Sequence, residues 1–252
     1  MTMDTCAVNG FFSSAQIEKY SAAVQKRRSV RAFKGDPDVQ QMSALHYAAA
    51  RVALPGVRIA LGEAPFSDLY RRLPLVETIH GSRRYAAVIA DERIPHAAIH
   101  AGISGEAFIL EAVALNLGTC WVAAFKRGGV NLPLEEGEKV KAVIALGVPD
   151  KEGGSRKRKR LSEICASNPT DWPFWAYNAA EYVRVAPSAV NLQPWRLSFA
   201  GNTLTLSSAR AGANLDMGIA MLHMTLGAQD QRHVMRWGEG KEIAALIAEE
   251  KP

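Results

Sequence analysis

The chain has 252 residues, 48% apolar and 22% charged, which is typical of a folded globular protein long enough for one full core or two half-cores. Its three cysteines, Cys6, Cys120 and Cys165, lie far apart, which excludes a disulfide framework and a cysteine-based metal site and favours the reducing cytoplasm. The net charge of +5 is concentrated in a basic run over residues 156–160, which is compatible with a solvated linker, a nucleic-acid or targeting patch, or an anion site.

Neither secretion nor membrane insertion is indicated by the sequence. It does not open with the basic and apolar leader of a secretory signal. The longest apolar stretch, residues 107–125, includes Glu111, Asn116 and Gly118, which lipid would penalise. We therefore expect a buried core helix in this region and a soluble, cytoplasmic protein without membrane contacts.

Helical and extended patterns alternate along the first 150 residues. Apolar residues at helical spacing predict helices, and β-prone apolar runs predict strands. The predicted elements are a loose leader over residues 1–12, helices over 13–26, 38–52 and 102–117, a β-prone segment over 119–125, and strands over 85–90 and 140–147. Residues 65–84 show no clear pattern.

A second set of elements follows the junction formed by Gly153, Gly154, Ser155 and the basic run. The predictions are a helix over residues 168–182, a hairpin of Trp195–Ala200 and Thr203–Ser208, a Met-rich helix over 216–228 and a short helix over 241–249. We expect His223 in the Met-rich helix to be a core residue. The pair His96 and His100 lacks a third ligand, so we predict no metal site and expect both to be partly exposed.

A polar segment of residues 186–195, here called the elbow, lies between the helix and the hairpin. It places Ser188, Asn191 and Gln193 on a constrained turn, where exposed donors would suit a ligand rich in acceptors. The alternative is structural: Pro187 ends the helix, and the polar side chains satisfy loose backbone groups.

An arginine cluster, Arg27-Arg28-Ser29-Val30-Arg31, follows the first predicted helix. One interpretation is a solvated helix end, where cations favour the helix dipole. The other is that guanidinium groups and a hydroxyl bind a phosphate or a planar acceptor edge.

The two parts of the chain share a pattern that indicates an internal duplication. Residues 51–58 align without a gap to residues 184–191 with four identities, and each octet follows a helix. Gly-x-Ala sequences at Gly105 and Gly218 open apolar helices in the same order. The first copy keeps the arginine cluster and the second keeps the elbow, so neither half alone holds both.

The elbow resembles the Ala-Pro-Ser-x-x-Asn-x-Gln-Pro-Trp segment of the nitroreductase family of flavoproteins. Proteins of this family are homodimers with flavin sites at the subunit interface. The resemblance implies an α+β nitroreductase-like fold with antiparallel-rich sheets flanked by helices. It also implies two pseudo-repeat halves, residues 13–165 and a shorter 166–252, packed as an intramolecular dimer.

The same resemblance implies an FMN site. Arg27, Arg158 and Arg160 would neutralise the phosphate with help from Ser29, while Arg31 would lie near the flavin N1 and C2 carbonyl. Backbone near Ala123 and Ala124 would face N5, and the elbow would hold the pyrimidine or ribityl edge. The implied cofactor-binding residues are Arg27, Arg28, Ser29, Arg31, Trp121, Val122, Ala123, Ala124, Arg158, Arg160, Pro187, Ser188, Ala189 and Asn191.

The implied activity is FMN-dependent reduction of a small organic acceptor, such as a nitroaromatic or a quinone, with NADH or NADPH as reductant in ping-pong order. No catalytic side chain is required. A degenerate flavin binder with a sensing or storage role is the alternative. Nucleic acid is not an expected partner, because residues 153–163 carry no aromatic side chains for stacking. We expect a monomer acting as a pseudo-dimer, with further oligomerisation left open.

Overall fold

The computed structural model describes residues 5–70, 78–151, 153–154, 157–228, 233–238 and 242–248. The chain forms two compact units: a central unit of residues 25–156, and a terminal unit of residues 1–24 and 157–252. The helices are α1 (Ser14–Lys26), α2 (Val39–Arg51), α3 (Phe66–Leu69), α4 (Ala97–Ala114), α5 (Leu161–Ile164), α6 (Phe174–Val185) and α7 (Asn214–Ala228). The strands are β1 (Phe33–Gly35), β2 (Val57–Glu63), β3 (Arg84–Asp91), β4 (Gly118–Val122), β5 (Glu138–Pro149), β6 (Trp195–Ala200), β7 (Thr203–Ser208), β8 (His233–Trp237) and β9 (Glu242–Ala248).

The central unit is an antiparallel sheet covered by α4 and α2. Strand β5 is the longest and pairs with β3 along one edge and with β4 along the other, while β2 pairs with β3 and β1 pairs with the end of β5. The middle of β5, from Ala142 to Leu146, is fully buried because it is flanked by strands on both sides and packed against α4. Helix α2 begins with a capping box in which Asp38 and Gln41 satisfy each other's backbone N–H groups.

Helix α4 is the predicted core helix, although it begins at Ala97, five residues before the predicted start. Within the described residues it is the one helix long and apolar enough to cross a membrane, but 83% of that stretch is buried in the structure. It packs on β2, β3, β4 and β5. Burial on all sides explains its almost continuous apolar sequence.

The terminal unit is a four-stranded antiparallel sheet in the order β6-β7-β9-β8, with α6 and α7 packed together. The hairpin β6–β7 turns at Gly201 and Asn202, as predicted. His223 is fully buried in α7, and its Nδ1 lies 3.0 Å from the Tyr182 carbonyl oxygen. The prediction of a core histidine is confirmed.

The described part of the predicted loose leader, residues 5–12, is folded into the terminal unit. Cys6, Val8 and Phe12 are buried, and the ring of Phe12 packs edge-on against Tyr20. Asn9 donates to the carbonyl of Met235 and accepts from its N–H, both at 2.7 Å. The prediction of a loose leader is wrong for these residues. Cys6 and Asn9 hydrogen-bond to Met235, more than 200 residues away, and contacts of that kind leave no local pattern.

Two further predictions are wrong in detail. Residues 242–248 of the predicted C-terminal helix form strand β9, because pairing with β7 and β8 on both sides outweighs the helix propensity of Ala, Leu and Glu. His100 is buried rather than partly exposed, and its Nδ1 lies 2.9 Å from the Pro55 carbonyl oxygen. Burial lowers the pKa of His100.

The two units share one order of elements. Setting aside the short α3, both run helix, strand, strand, helix, strand, strand: α2-β2-β3-α4-β4-β5 and α6-β6-β7-α7-β8-β9. The sheet order is also the same, β2-β3-β5-β4 and β6-β7-β9-β8, and all of these pairings are antiparallel. The units divide after residues 24 and 156, whereas the predicted halves divide at residue 165. Gly105 lies in the middle of α4 and does not open it.

Candidate functional site

The predicted site residues fall into two groups, one in each unit. The central unit contains Arg27, Arg28, Ser29, Arg31, Trp121, Val122, Ala123 and Ala124. The terminal unit contains Arg158, Arg160, Pro187, Ser188, Ala189 and Asn191.

In the central unit, the arginine cluster lies beside strand β4. The N–H of Val30 donates to the carbonyl of Thr119 at 2.8 Å, and Ser29 forms a parallel bridge with the same residue. On the other side, the N–H of His80 donates to the carbonyl of Arg31. The structure therefore brings together two components that the family resemblance implied: the arginine cluster and the segment from Trp121 to Ala124.

Arg27 is the most buried member of the cluster, with 3% of its surface exposed. Its Nε lies 3.6 Å from a carboxylate oxygen of Glu106, which is fully buried in α4. The other oxygen of Glu106 accepts from the indole N–H of Trp121 at 2.8 Å. Glu106 thus connects two predicted site residues, and Gly105 beside it has no side chain to collide with the Trp121 ring.

The hydrogen bonding of Arg27 is incomplete. Its Nε is buried and has no hydrogen-bond partner, and its terminal nitrogens donate to none of the described residues. Burial lowers the pKa of this guanidinium, and the nearby Glu106 partly opposes that shift. A buried guanidinium with open donors is an arrangement that an anion would complete.

Arg28, Ser29 and Arg31 are half-buried, and they differ in their contacts. Arg28 donates from one Nη to the carbonyls of Gln25 and Arg27, both at 2.9 Å, so its guanidinium satisfies the end of α1. This contact supports the structural interpretation for Arg28. The side chains of Ser29 and Arg31 donate to none of the described residues, which leaves both available to a ligand. Ala123 lies in an exposed bend directly after β4.

The elbow has an unusual backbone. Val190, Asn191 and Gln193 have φ values of 41°, 57° and 50°, in the left-handed region that side-chain-bearing residues rarely adopt. Val190 is β-branched, for which this conformation is a clear outlier, and it is 78% exposed. Strain of this kind is retained where surrounding contacts fix it, and it is concentrated at functional sites.

Two contacts within the terminal unit fix the start of the elbow. The Oγ of Ser188 accepts from the N–H of Gln193 at 2.8 Å, and Oδ1 of Asp216 accepts from the N–H of Ala189 at 2.9 Å. Asp216 belongs to the first turn of α7 and is buried, which raises the pKa of its carboxyl. Helix α6 ends at Val185, before Pro187, as the structural interpretation of the proline predicted.

The basic run contacts the elbow directly. Arg158 donates from Nη1 to Oδ1 of Asn191 at 2.7 Å, and the Asn191 amide donates to the carbonyl of Lys157 at 3.0 Å. Arg160 differs, because it is exposed and its Nε lies 3.4 Å from Glu163 in the next turn. The structure thus joins two predicted site residues, Arg158 and Asn191, that are 33 residues apart.

Arg58, the residue that the predicted repeat aligns with Asn191, forms a structural ion pair. Arg58 lies in β2 and donates from Nε and Nη2 to the two carboxylate oxygens of Glu138, both at 2.7 Å. This pairing lowers the pKa of Glu138. Arg58 therefore has a role within the sheet.

The sequence did not identify Glu106, Lys159 or Asp216 as members of these two groups. It placed Gln193 in the elbow but did not predict that this residue is buried. A signal existed for Glu106, which is a lone acid in an apolar helix next to the glycine of the repeat. The connections of Lys159 and Asp216 to the elbow depend on folding and leave no local pattern.

Comparisons with known proteins identify the family. A family model described as "Putative TM nitroreductase" matches residues 19–228. A solved Thermotoga maritima structure described in the same terms is 21% identical, covers 99% of this chain and 98% of its own, and has a TM-score of 0.67. The nitroreductase-like fold is therefore confirmed over nearly the whole chain. No curated protein matches the sequence significantly.

Two other solved structures are similar over part of the chain. A Desulfovibrio desulfuricans protein solved in complex with FMN is 19% identical, covering 60% of this chain and 96% of its own with a TM-score of 0.47. A Bacteroides thetaiotaomicron protein named as an NADH dehydrogenase/NAD(P)H nitroreductase is 16% identical, covering 61% and 97% with a TM-score of 0.46. Because the family model spans most of the sequence, this chain belongs to the nitroreductase family of oxidoreductases.

Proposed function

We propose that this protein is an FMN-dependent oxidoreductase that uses NADH or NADPH to reduce a small organic acceptor, such as a nitroaromatic or a quinone. Membership of the family supports an oxidoreductase. The names of similar proteins, one solved with FMN and one called an NAD(P)H nitroreductase, support the choice of cofactor and reductant. The cytoplasm is the proposed location, since the cysteines are free.

The observation that carries the proposal is Arg27. Its guanidinium is almost fully buried, the carboxylate of Glu106 lies 3.6 Å away without accepting a hydrogen bond from it, and its donors reach none of the described acceptors. The phosphate of FMN carries nearly two negative charges and several acceptor oxygens, which fit this donor set. We assign the phosphate to Arg27, with the hydroxyl of Ser29 as a second donor.

The remaining donors suit the rest of the cofactor. Arg31 would place a cation near the flavin N1 and C2 carbonyl, where positive charge favours the reduced form. The exposed backbone at Ala123 would donate to N5. In the elbow, Oδ1 of Asn191 accepts from Arg158 and one of its amide N–H bonds is used by Lys157, which leaves one N–H for a carbonyl of the flavin edge.

Bound FMN would supply the redox chemistry, namely hydride acceptance from NADH or NADPH and electron transfer to the acceptor in ping-pong order. This chain's residues bind and orient the reactants. We therefore assign no catalytic side chain.

We further propose that the chain is an internally duplicated member of the family that binds one FMN. The shared order of elements and strands in the two units supports the duplication. One site is expected because the sequence contains one arginine cluster and one elbow. A flavin binder without turnover, with a sensing or storage role, is the second candidate, since the predicted residues would hold FMN in either case.

Titration of the apoprotein with FMN tests the proposal. Arg27→Ala and Asn191→Ala should each weaken binding, Arg27→Ala by about 30-fold because a charge-assisted bond of roughly 2 kcal/mol is lost. Arg58→Ala is the matched control, and its affinity should change by less than about twofold because Arg58 pairs with Glu138. Equal losses at Arg58 would contradict the single site, as would two FMN per chain.

Addition of NADH or NADPH separates the two candidate functions. If the reductant bleaches the yellow protein and a nitroaromatic or quinone then restores the yellow colour, the protein is an enzyme. Yellow protein that is not bleached would indicate a binder. Protein that takes up no FMN would refute both.

A further inference from the structure

The elbow requires a restraint outside itself. Three of its residues with side chains, Val190, Asn191 and Gln193, are held at positive φ. A chain of this composition would relax to the ordinary right-handed or extended regions if nothing opposed it. The contacts of Ser188 and Asp216 reach the start of the elbow and the N–H of Gln193, but they do not reach the carbonyl groups at its end.

Lys159 supplies that restraint. Its Nζ donates to the carbonyls of two successive residues, Leu192 and Gln193, each at 3.0 Å. Its own backbone N–H donates to Oε1 of Gln193 at 2.8 Å. Gln193 is 4% exposed, and its amide in turn donates to the carbonyl of Asn191 at 3.2 Å.

These bonds fix the backbone of the elbow from Asn191 to Gln193. Two carbonyls bound by one ammonium group cannot rotate independently, so the peptide planes around Gln193 are set. Because Gln193 also bonds Asn191, the orientation set by Lys159 extends to the residue proposed to bind the flavin. The adjacent Arg158 holds the Asn191 side chain itself.

The other members of the basic run do not share this role. The side chain of Lys157 is exposed and contacts none of the described residues; only its carbonyl is used. Arg160 is 84% exposed and pairs with Glu163. Charge is spread along the run, whereas the described side-chain contacts to the elbow come from Arg158 and Lys159.

We propose that Lys159 is a positioning residue that holds the elbow in its left-handed conformation and thereby orients Asn191 for its ligand. The basic run acts on the ligand here through backbone geometry more than through its total charge. The identity of the ligand as FMN rests on the proposed function. The conformational role of Lys159 does not, and it is measured without any ligand.

Hydrogen exchange of the apoprotein, followed by mass spectrometry of peptides covering residues 186–195, tests the conformational role. Lys159→Met should speed exchange of the elbow amides by about tenfold or more, because two charge-assisted bonds are lost. Lys157→Met removes the same charge two residues away and should leave exchange unchanged. Lys159→Arg keeps a donor and should restore part of the protection. Exchange in peptides from β6 and α7 reports whether the unit remains folded.

FMN titration of the same variants tests the link to the ligand. Lys159→Met should raise the Kd by about tenfold or more, Lys159→Arg by less, and Lys157→Met by no more than about twofold. The proposal is overturned if Lys159→Met and Lys157→Met agree in either exchange or affinity, or if the elbow loosens without any change in affinity. If the wild type binds no FMN, the proposed function fails, and the exchange measurement alone decides whether Lys159 restrains the elbow.

Discussion

Replacing the buried carboxylate of Glu106 should be among the most damaging single changes in the central unit. Glu106→Leu would leave Arg27 charged and buried without its counter-ion, at a cost of about 3–5 kcal/mol. It would also leave the indole N–H of Trp121 without an acceptor, at about 1–3 kcal/mol. Solvent does not screen the pair, since the two side chains are 3% and 0% exposed. The expected loss of about 5 kcal/mol is comparable with the whole stability of many domains.

A double variant distinguishes two causes of the lost stability, the burial of an unpaired charge and the loss of side-chain packing. In Arg27→Met/Glu106→Leu both charges are gone, and the indole N–H is the main group left unsatisfied. The double variant should therefore be more stable than Glu106→Leu by at least about 2 kcal/mol. Glu106→Gln keeps an acceptor for Trp121, so its free energy of unfolding should lie between those of the wild type and Glu106→Leu.

Urea denaturation of the apoproteins, extrapolated linearly at constant slope, measures these differences. A loss below about 1 kcal/mol for Glu106→Leu would mean that water or a rearrangement compensates the guanidinium. A double variant less stable than Glu106→Leu would show that the ion pair is a net stabilising interaction. Either result would refute the reasoning from burial.

Two further predictions concern the fold. Burial raises the pKa of Asp216 above 3.8, so its ionisation costs stability as pH rises from the ordinary pKa of an aspartate through the raised pKa of the folded state. The stability of Asp216→Asn should therefore increase relative to the wild type over that range, and a difference independent of pH in denaturation curves would refute this. Gly81, at φ 88°, has no room for a Cβ against the carbonyl of Phe33, so Gly81→Ala should lower stability by more than about 3 kcal/mol. Gly201→Ala at φ 55° meets open space and should cost about 1 kcal/mol, and equal melting temperatures for the two variants would contradict the steric argument.

The sequence predicted those elements whose signals are local. The hairpin β6–β7 was readable because its turn and alternation lie within fourteen residues, and α2 and α6 because their apolar residues recur at helical spacing. Strand β9 was mistaken for a helix because its identity depends on partners elsewhere in the chain. Strand β2 was missed for the same reason.

The candidate site shows the same division. The elbow was found from its polar residues and its resemblance to a family segment, and the arginine cluster from its run of cations; the structure places the cluster beside β4. The roles of individual residues were less accessible: Arg28 caps α1, and Arg160 pairs with its neighbour Glu163. Glu106, Asp216 and Lys159 escaped notice because a buried polar contact between distant residues has no period in the sequence.

One unit is continuous in sequence and the other is not, which affects how the chain folds while it is being synthesised. The central unit is one continuous stretch and is complete once residue 156 has left the ribosome. The terminal unit is not, because the partners of Asn9 in β8 are translated 226 residues later. The nascent chain therefore keeps its first residues unpaired while the central unit folds, and a chaperone that shields them has that interval in which to act.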